Sequence, residues 1–221
     1  MKQSRRAHLK SLAVAGLVGA GGISGLIRDA LANAARPVAP GIYRIKGEVR
    51  VNGQLAKEGM PVLAGDSVTT GPGGEAVFVI GQDAFMQREN SIVRFGKDAA
   101  QGLFRVVSGK LLSVFGKGEK KLLTPTATIG IRGTGCYIEA EAKTVYFCLC
   151  YGTADVEPLA EPGRVERIVT KQHDHPVLLH NDKGMPSMAD AKVINHTDAE
   201  LTLLENITGR WPPFYGSSSG Y

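Results

Sequence analysis

The chain has 221 residues, with 28 glycines and only 6% aromatic residues, which suits one domain with a real core and many tight turns. The formal net charge is +5, but residues 1–34 hold five of the 26 basic residues and one acidic residue, leaving 21 basic and 20 acidic residues in the remainder. This near balance argues against a nucleic-acid-binding protein, which would need a basic patch or stripe.

The first 34 residues have the pattern of an export signal. Arg5-Arg6 and Leu9-Lys10 stand ahead of a weakly apolar, glycine-rich stretch over residues 11–27. This arrangement resembles a twin-arginine translocation signal, with His8 at the position where that family usually has phenylalanine. The resemblance implies export of an already folded protein, so we expect a periplasmic location.

A signal peptidase site is predicted at the end of this region. Ala32-Asn33-Ala34 has the small-x-small pattern that the peptidase recognises, so residues 1–34 are expected to be removed. Residues 11–27 are short and glycine-rich compared with the roughly 20 strongly apolar residues of a membrane span. An uncleaved anchor is the alternative, and only through it would we expect the protein to contact the membrane.

Residues 42–160 show mostly two-residue periodicity, which is typical of β-strands. Val49 and Val51 lead to Asn52-Gly53, a pair suited to the positive φ angles of a tight hairpin turn. Further strand-length runs, bounded by glycine or charged residues, cover residues 75–80, 91–95, 103–107 and 109–115. Short strands at this spacing predict an all-β fold, an antiparallel β-sandwich or β-roll.

Residues 161–209 are predicted to form a C-terminal extension with a short helix. Thr197 and Glu200 have the spacing of a capping box, and apolar residues recur at helical spacing after them. Gly209 supplies a stop, so the helix is predicted to run from Thr197 to Gly209. The small, polar residues at the chain end predict a flexible tail over residues 210–221.

The segment from Thr124 to Thr134, TPTATIGIRGT, is the most informative motif of the chain. A Thr-Pro strand runs into an Arg-Gly-Thr corner, and this resembles the central motif of the FecR domain, named for a periplasmic regulator of ferric-citrate uptake. Residues 59–70, GMPVLAGDSVTT, resemble an upstream motif of the same family, and residues 145–156 resemble its closing strands. The resemblance covers residues 42–160 in the family's order.

The resemblance implies an all-β periplasmic domain that binds or senses an envelope protein or a small ligand. Arg132 and Thr134 are then corner residues and the candidate binding residues, with hydrogen bonding of Arg132 to turn carbonyls as the structural alternative. Gly130 and Gly133 are expected to allow the bend at which the strand changes direction.

One departure from the FecR regulator changes the expected function. That regulator has three parts, a cytoplasmic anti-sigma segment, one membrane span and a periplasmic domain. Here only four residues precede Arg5-Arg6, too few for a helical sigma-binding segment. We therefore expect a stand-alone binding or sensing domain rather than direct transcriptional signalling.

Three cysteines lie close together in the sequence, at positions 136, 148 and 150. Cys148 and Cys150 are two residues apart on a predicted strand, so their side chains are expected on one face of the sheet. Cys136 lies on the preceding strand, and the length of the hairpin loop decides its face. An odd loop places it opposite Cys148 or Cys150, whereas a two-residue loop places it opposite Leu149, on the other face.

Four interpretations of the cysteines stay open. A disulfide with one remaining thiol suits an oxidising compartment, and buried unpaired cysteines would act as small apolar residues. A metal site could combine Cys136, Cys148 and Cys150 with His173 and His175, since thiolate and imidazole ligands suit zinc or copper. A redox-active Cys-x-Cys pair is the fourth, although no helix N-terminus follows to lower a thiol pKa.

The sequence shows little that indicates enzyme chemistry. Asp155 and Glu157 lie two residues apart on a predicted strand without a visible partner, and no nucleophile has a base within a recognisable motif. The glycines of residues 130–133 lead into another strand, unlike the helix of a nucleotide-binding loop. We therefore predict a non-enzymatic protein, with a metal-binding or redox protein as the alternative function.

Overall fold

The computed structural model describes residues 37–96 and 102–216, so the predicted signal peptide over residues 1–34 lies outside the described residues. The described residues form fourteen strands in one sheet, followed by a single short helix. The predicted all-β class with a short C-terminal helix is thereby confirmed. The strands are β1 (Gly41–Lys46), β2 (Val49–Val51), β3 (Gln54–Leu55), β4 (Ser67–Thr70), β5 (Glu75–Ile80), β6 (Asp83–Gln87), β7 (Ile92–Phe95), β8 (Leu103–Val114), β9 (Glu119–Leu123), β10 (Ala127–Ala140), β11 (Thr144–Pro158), β12 (Glu166–Thr170), β13 (Val177–His180) and β14 (Met188–Asp190), and the helix is α1 (Asp198–Ile207).

The sheet follows the order β14-β13-β11-β10-β9-β8-β7-β4-β2-β3, and β1, β5 and β6 branch from β8. All pairings are antiparallel except the one between β8 and β9. The three longest strands, β8, β10 and β11, exchange one partner strand for another along their length. This exchange lets one sheet fold over its own core. Strands β12 and β13 both pair with β11, so the sheet continues past residue 160.

Alternating residues of the central strands form two separate cores on opposite faces of the sheet. The inner core is rich in phenylalanine, and Phe85 contacts four other phenylalanine rings at centroid distances of 5.1–6.0 Å. The second core lies beneath α1, where Leu201, Leu204 and Ile207 pack against Met86 and neighbouring strand residues. In β5, for example, Phe78 faces the inner core and Val77 the second core.

The ends of the short elements follow the sequence patterns. Asn52 and Gly53 have φ angles of 51° and 80°, as a tight hairpin between β2 and β3 requires. Thr197 is the N-cap of α1, and the reciprocal capping box with Glu200 is present. Beyond the helix, Arg210 donates to the Gln82 carbonyl oxygen at 2.7 Å, which ties the start of the predicted tail to the sheet.

The predicted corner lies in β10. Gly133 has a φ angle of 52° and stands at an irregularity in the pairing with β11, where two residues of β10 oppose one residue of β11. Gly152 is the opposing residue, with a φ angle of 101°. A Cβ atom on Gly152 would lie 2.7 Å from the Thr134 methyl carbon, so Thr134 packs directly against the backbone of Gly152.

Candidate metal centre

Strand β11 carries two of the three cysteines on the face of the second core. Cys136 pairs opposite Leu149 and belongs to the inner core, whereas Cys148 and Cys150 belong to the second core. The hairpin has a two-residue turn, closed by the Glu141 amide donating to the Thr144 carbonyl oxygen at 2.9 Å. This even loop places Cys136 on the opposite face, and the predicted grouping of all three cysteines is corrected.

A bulge at Cys150 shapes this part of the strand. Gly135 pairs with Tyr151 and Cys136 pairs with Leu149, so Cys150 has no opposing residue on β10. As a consequence, Cys150 and Tyr151 both contribute to the second core although they are adjacent in sequence. Cys150 therefore shares the Cys148 face by the regular alternation of the strand, and the bulge adds Tyr151 to that face.

His173 lies in the turn that follows β12 and reaches back to β11. Its φ angle is 51°, an uncommon conformation for a residue with a side chain. Its amide donates to the Cys150 carbonyl oxygen at 2.9 Å, and the Asp174 carboxylate accepts from the Lys171 amide at 2.8 Å. The imidazole Nδ1 consequently lies 3.5 Å from the Cys148 sulfur.

His196, which sequence reasoning missed, completes the group. It directly precedes Thr197, the N-cap of α1, and its Nε2 lies 3.0 Å from Nδ1 of His173. Its ring stacks on Tyr137 with a centroid distance of 4.6 Å. The only local signal is weak: the residue before an N-cap is often apolar, and here it is a histidine.

The other predicted ligand, His175, lies apart from this group. Its side chain is 44% exposed, and its Nε2 is 3.9 Å from the Asp190 carboxylate. The structure therefore brings together Cys148, Cys150 and His173 from the predicted set, adds His196, and leaves out Cys136 and His175. A His-x-His spacing did not place two imidazoles in one site here, because the turn directs only His173 inward.

The four donor atoms lie close enough together to surround one metal ion. One ligand atom from each residue lies within 4.8 Å of every other, and all four residues are buried. Bonds of about 2.3 Å to sulfur and about 2.0–2.1 Å to nitrogen would set tetrahedral ligands about 3.3–3.8 Å apart. The sulfur–nitrogen distance of 3.5 Å and the nitrogen–nitrogen distance of 3.0 Å come close to those values. This buried Cys2His2 group could hold a metal ion.

The outer nitrogens of both imidazoles are also anchored. Nε2 of His173 lies 2.9 Å from the Asp198 carboxylate, and Nδ1 of His196 lies 2.6 Å from the Ile194 carbonyl oxygen. Both oxygens can only accept, so each neutral ring uses its one N–H outward. The inner nitrogens then present lone pairs toward the two sulfurs, which is the orientation that hydrogen bonds to the outer nitrogen impose on metal-ligating histidines.

Burial and the neighbouring groups shift the pKa values of the Cys148 and Cys150 thiols in opposite directions. Cys150 and the two imidazoles lower the pKa of the Cys148 thiol to about 4. Burial raises the pKa of Cys150 well above its ordinary value, and the neighbouring Cys148 adds to this. Burial alone would lower the pKa of His173, but Cys148 and Asp198 together raise it. The group thus favours one thiolate next to a positive charge, supplied by a proton or by a metal ion.

The cysteines form no disulfide in this structure, and all three belong to the described residues. Burial also raises the pKa of Cys136 far above its ordinary value, as expected for a thiol in an apolar core. Cys136 therefore behaves as a small apolar residue of the inner core.

The predicted binding residues Arg132 and Thr134 both make contacts within the fold. Arg132 forms an ion pair with Glu119 at 2.8 Å and is 61% exposed. Thr134 is fully buried, with its methyl group against Gly152 at the corner of β10. Neither belongs to the group of metal-ligand candidates.

Comparisons with known proteins show a distant structural likeness. No protein-family model matches the sequence, and no curated protein matches it. Two crystal structures, at 1.65 and 2.50 Å, of a protein provisionally described as an anti-sigma factor from Parabacteroides distasonis ATCC 8503 resemble the fold. Their TM-scores are 0.48 and 0.47, the identity is 12%, and the likeness covers 57% of this chain and 59% of theirs. Within residues 37–96 and 102–216, no helix has the length and apolar character needed to cross a membrane.

Proposed function

We propose that this protein is a non-enzymatic metal-binding protein with a sensing role at the cell envelope, and that the metal is zinc. The observation that carries the proposal is the convergence of Cys148, Cys150, His173 and His196 in one buried group. These residues come from a strand, from a turn and from the segment before a helix. Their ligand atoms all lie within 4.8 Å of one another, and all four residues are buried.

Zinc suits this donor set best. Two thiolates and two imidazoles in tetrahedral arrangement are typical of zinc sites, whose ligands carry anchoring hydrogen bonds like those on His173 and His196. Monovalent copper, which soft thiolates also favour, is the second candidate.

The closed geometry supports binding rather than catalysis. A catalytic zinc site keeps one coordination position open for water or substrate, whereas a structural site fills all four with protein ligands. Here the four donors are protein side chains, and the exposed fraction is 0% for Cys148 and Cys150 and 5–7% for His173 and His196. A substrate would have no direct path to the ion.

The N-terminal pattern and the FecR-like motifs support an extracytoplasmic sensing role. The resemblance of Arg5-Arg6 and the following residues to a twin-arginine signal supports export in the folded state. Free thiols are at risk of oxidation in the periplasm, and a bound metal ion would protect Cys148 and Cys150. A FecR-type domain that senses metal would report to an envelope protein or respond to a small ligand.

Metal titration of the purified full-length chain tests the proposal. The protein is stripped with a chelator under reducing conditions and titrated with Zn²⁺, with Co²⁺ as a spectroscopic probe of thiolate ligation. We expect one metal ion per chain and a cobalt spectrum with sulfur-to-metal charge transfer. A wild-type chain that binds neither zinc nor monovalent copper would contradict the proposal.

Two pairs of matched variants assign the ligands. Cys150→Ala should weaken zinc binding more than tenfold, whereas Cys136→Ala removes a buried thiol from the other face of the same sheet and should leave the affinity unchanged. His173→Ala should likewise weaken binding, while His175→Ala should not. Equal losses within either pair would show that the site is not the one described.

A further inference from the structure

The proposed metal centre joins two parts of the fold, the sheet and the helical segment, which otherwise meet through apolar residues of the second core and through polar contacts. We infer that the metal ion acts as a latch that holds the helical segment, residues 194–210, on the sheet, so that metal loss releases this segment. The inference rests on the proposed function and deepens it, because it states how metal occupancy would change the protein's surface.

The ligands are divided between the sheet and the helical segment. Cys148 and Cys150 belong to β11, and His173 is tied to β11 by the hydrogen bond from its amide to the Cys150 carbonyl. His196 belongs to the helical segment. One metal ion bound to all four residues would therefore connect the sheet directly to the start of α1.

A second connection reinforces the first. Asp198, in the first turn of α1, accepts from Nε2 of His173 at 2.9 Å and from the Gln172 side-chain amide at 2.6 Å. The Asp198 carboxylate, which orients the His173 imidazole, thus lies on the helix, whereas His173 itself is tied to the sheet. Metal binding and helix docking consequently require the same geometry, which makes the two events mutually favourable.

Without a metal ion, the interface between the rings of His173 and His196 is unfavourable for neutral imidazoles. Their inner nitrogens lie 3.0 Å apart, and both outer nitrogens already use the N–H of a neutral ring. Two neutral rings would then bring two lone pairs together at hydrogen-bond distance, so without a metal ion this contact needs a proton between the nitrogens. A metal ion between these nitrogens and the sulfurs converts this repulsion into two bonds.

The remainder of the helix interface combines apolar residues of the second core with buried polar residues. Thr202, Glu205 and Asn206 are 3–4% exposed, among the apolar residues of α1. Nε of Arg88 and Nη2 of Arg210, both next to α1, are buried without a hydrogen-bond partner among the described residues. Buried polar atoms without a partner are costly, so these two nitrogens reduce the free energy that docking of the helix gains.

Release would uncover apolar strand residues that α1 now covers. The covered face includes Val77, Val79, Met86, Leu112 and Val114, all buried in the second core. Its exposure would give the metal-free protein a different surface from the metal-bound protein. That difference is what a sensing domain needs to report metal occupancy.

Hydrogen exchange on the full chain, with zinc and after chelation, tests this inference. We expect amides of Leu201–Ile207 to exchange at least about tenfold faster without zinc, while amides of Leu111–Val114 in β8 change less than about twofold. Trp211, the only tryptophan of the chain, follows α1, and its ring lies against that of Tyr215 with a centroid distance of 4.0 Å. Its emission should shift in the same zinc titration.

Variants separate the latch from simple stabilisation. In His196→Ala, three donors remain, and the exchange of α1 should no longer respond to zinc; His175→Ala should keep the full response. Cys148→Ser, which leaves the helical segment unaltered, provides a second test and should lose the response if His196→Ala does not fold.

The outcomes distinguish the two proposals. Zinc binding at one ion per chain with unchanged exchange of α1 would overturn the latch and leave the metal-binding function standing. Equal slowing of exchange in every strand would also overturn it, because zinc would then stabilise the whole domain. A chain that binds no metal would overturn both.

Discussion

Nδ1 of His173 lies 3.0 Å from Nε2 of His196, although the two residues are 23 positions apart and belong to different elements. His173 is held by the turn after β12 and His196 by the segment that caps α1. Each ring has its outer nitrogen bonded to an oxygen acceptor, so the pair is oriented toward Cys148 and Cys150 by the fold itself.

The Asp198 carboxylate should tune metal affinity without touching the metal. We predict that Asp198→Asn weakens zinc binding about 10–100-fold, because the amide no longer provides the charged acceptor that orients His173. Asp190→Asn is the matched control, since Asp190 lies 3.9 Å from His175 and is 90% exposed. Competition with a zinc-chelating dye measures both affinities. An unchanged affinity in Asp198→Asn would argue against orientation of His173 by this carboxylate.

Zinc affinity should rise with pH. The Cys150 thiol, whose pKa is raised by burial, must lose its proton on metal binding, whereas Cys148, with a pKa of about 4, is already a thiolate near neutrality. His173, whose pKa is also raised, adds a second proton to be displaced at lower pH. Calorimetry in buffers of different ionisation enthalpy should detect net proton release. Affinity independent of pH between about 6 and 8 would exclude thiol deprotonation as part of binding.

The corner of β10 should depend on two glycines in different ways. Gly133→Ala should lower the free energy of unfolding by about 1 kcal/mol through its positive φ angle alone, since no atom lies within 4 Å of its added Cβ. Gly152→Ala should lower the free energy of unfolding by about 2–4 kcal/mol. The strain of the positive φ angle is there combined with a 2.7 Å approach of the new Cβ atom to the Thr134 methyl carbon. Gly130→Ala, whose nearest neighbour would lie at 3.8 Å, is the control. Urea unfolding at fixed zinc concentration gives the three values, and equal costs at all three positions would be inconsistent with this corner.

Export should require the paired arginines. Replacing Arg5 and Arg6 by lysine keeps the charge but removes the residues that the twin-arginine route recognises, so full-length precursor should accumulate in the cytoplasm. Immunoblots of cytoplasmic and periplasmic fractions measure this, with Lys2→Arg as a control outside the motif. Unchanged periplasmic yield of the Arg5, Arg6 double variant would remove the assignment.

Much of the fold could be predicted from local patterns. Asn52-Gly53 predicted a hairpin because few residue pairs tolerate two successive positive φ angles, and the structure has both. Thr197 and Glu200 predicted the start of α1 because a capping box is formed by residues three positions apart. Such features depend on neighbours in the chain, and a single sequence contains that information.

The candidate metal centre could be predicted only in part. The Cys-x-Cys spacing places Cys148 and Cys150 on one face because strand side chains alternate. His173 is also among the ligands predicted from the sequence. The face of Cys136 depends on the parity of the hairpin loop, which the sequence leaves open and the two-residue turn decides. The choice between His173 and His175 depended on the direction of a turn with a positive φ angle.

By itself, therefore, the sequence determined the all-β class, the short capped helix and the position of the Cys148 and Cys150 thiols on one face. Each follows from spacing along a strand or a helical turn. The tertiary structure alone decided that His196, 46 residues after Cys150, completes the group. That contact arises from packing α1 on the second face of the sheet, and its free energy comes from long-range burial rather than from any local pattern. The division between sheet and helix, on which the proposed sensing role depends, is for the same reason a property of the folded chain.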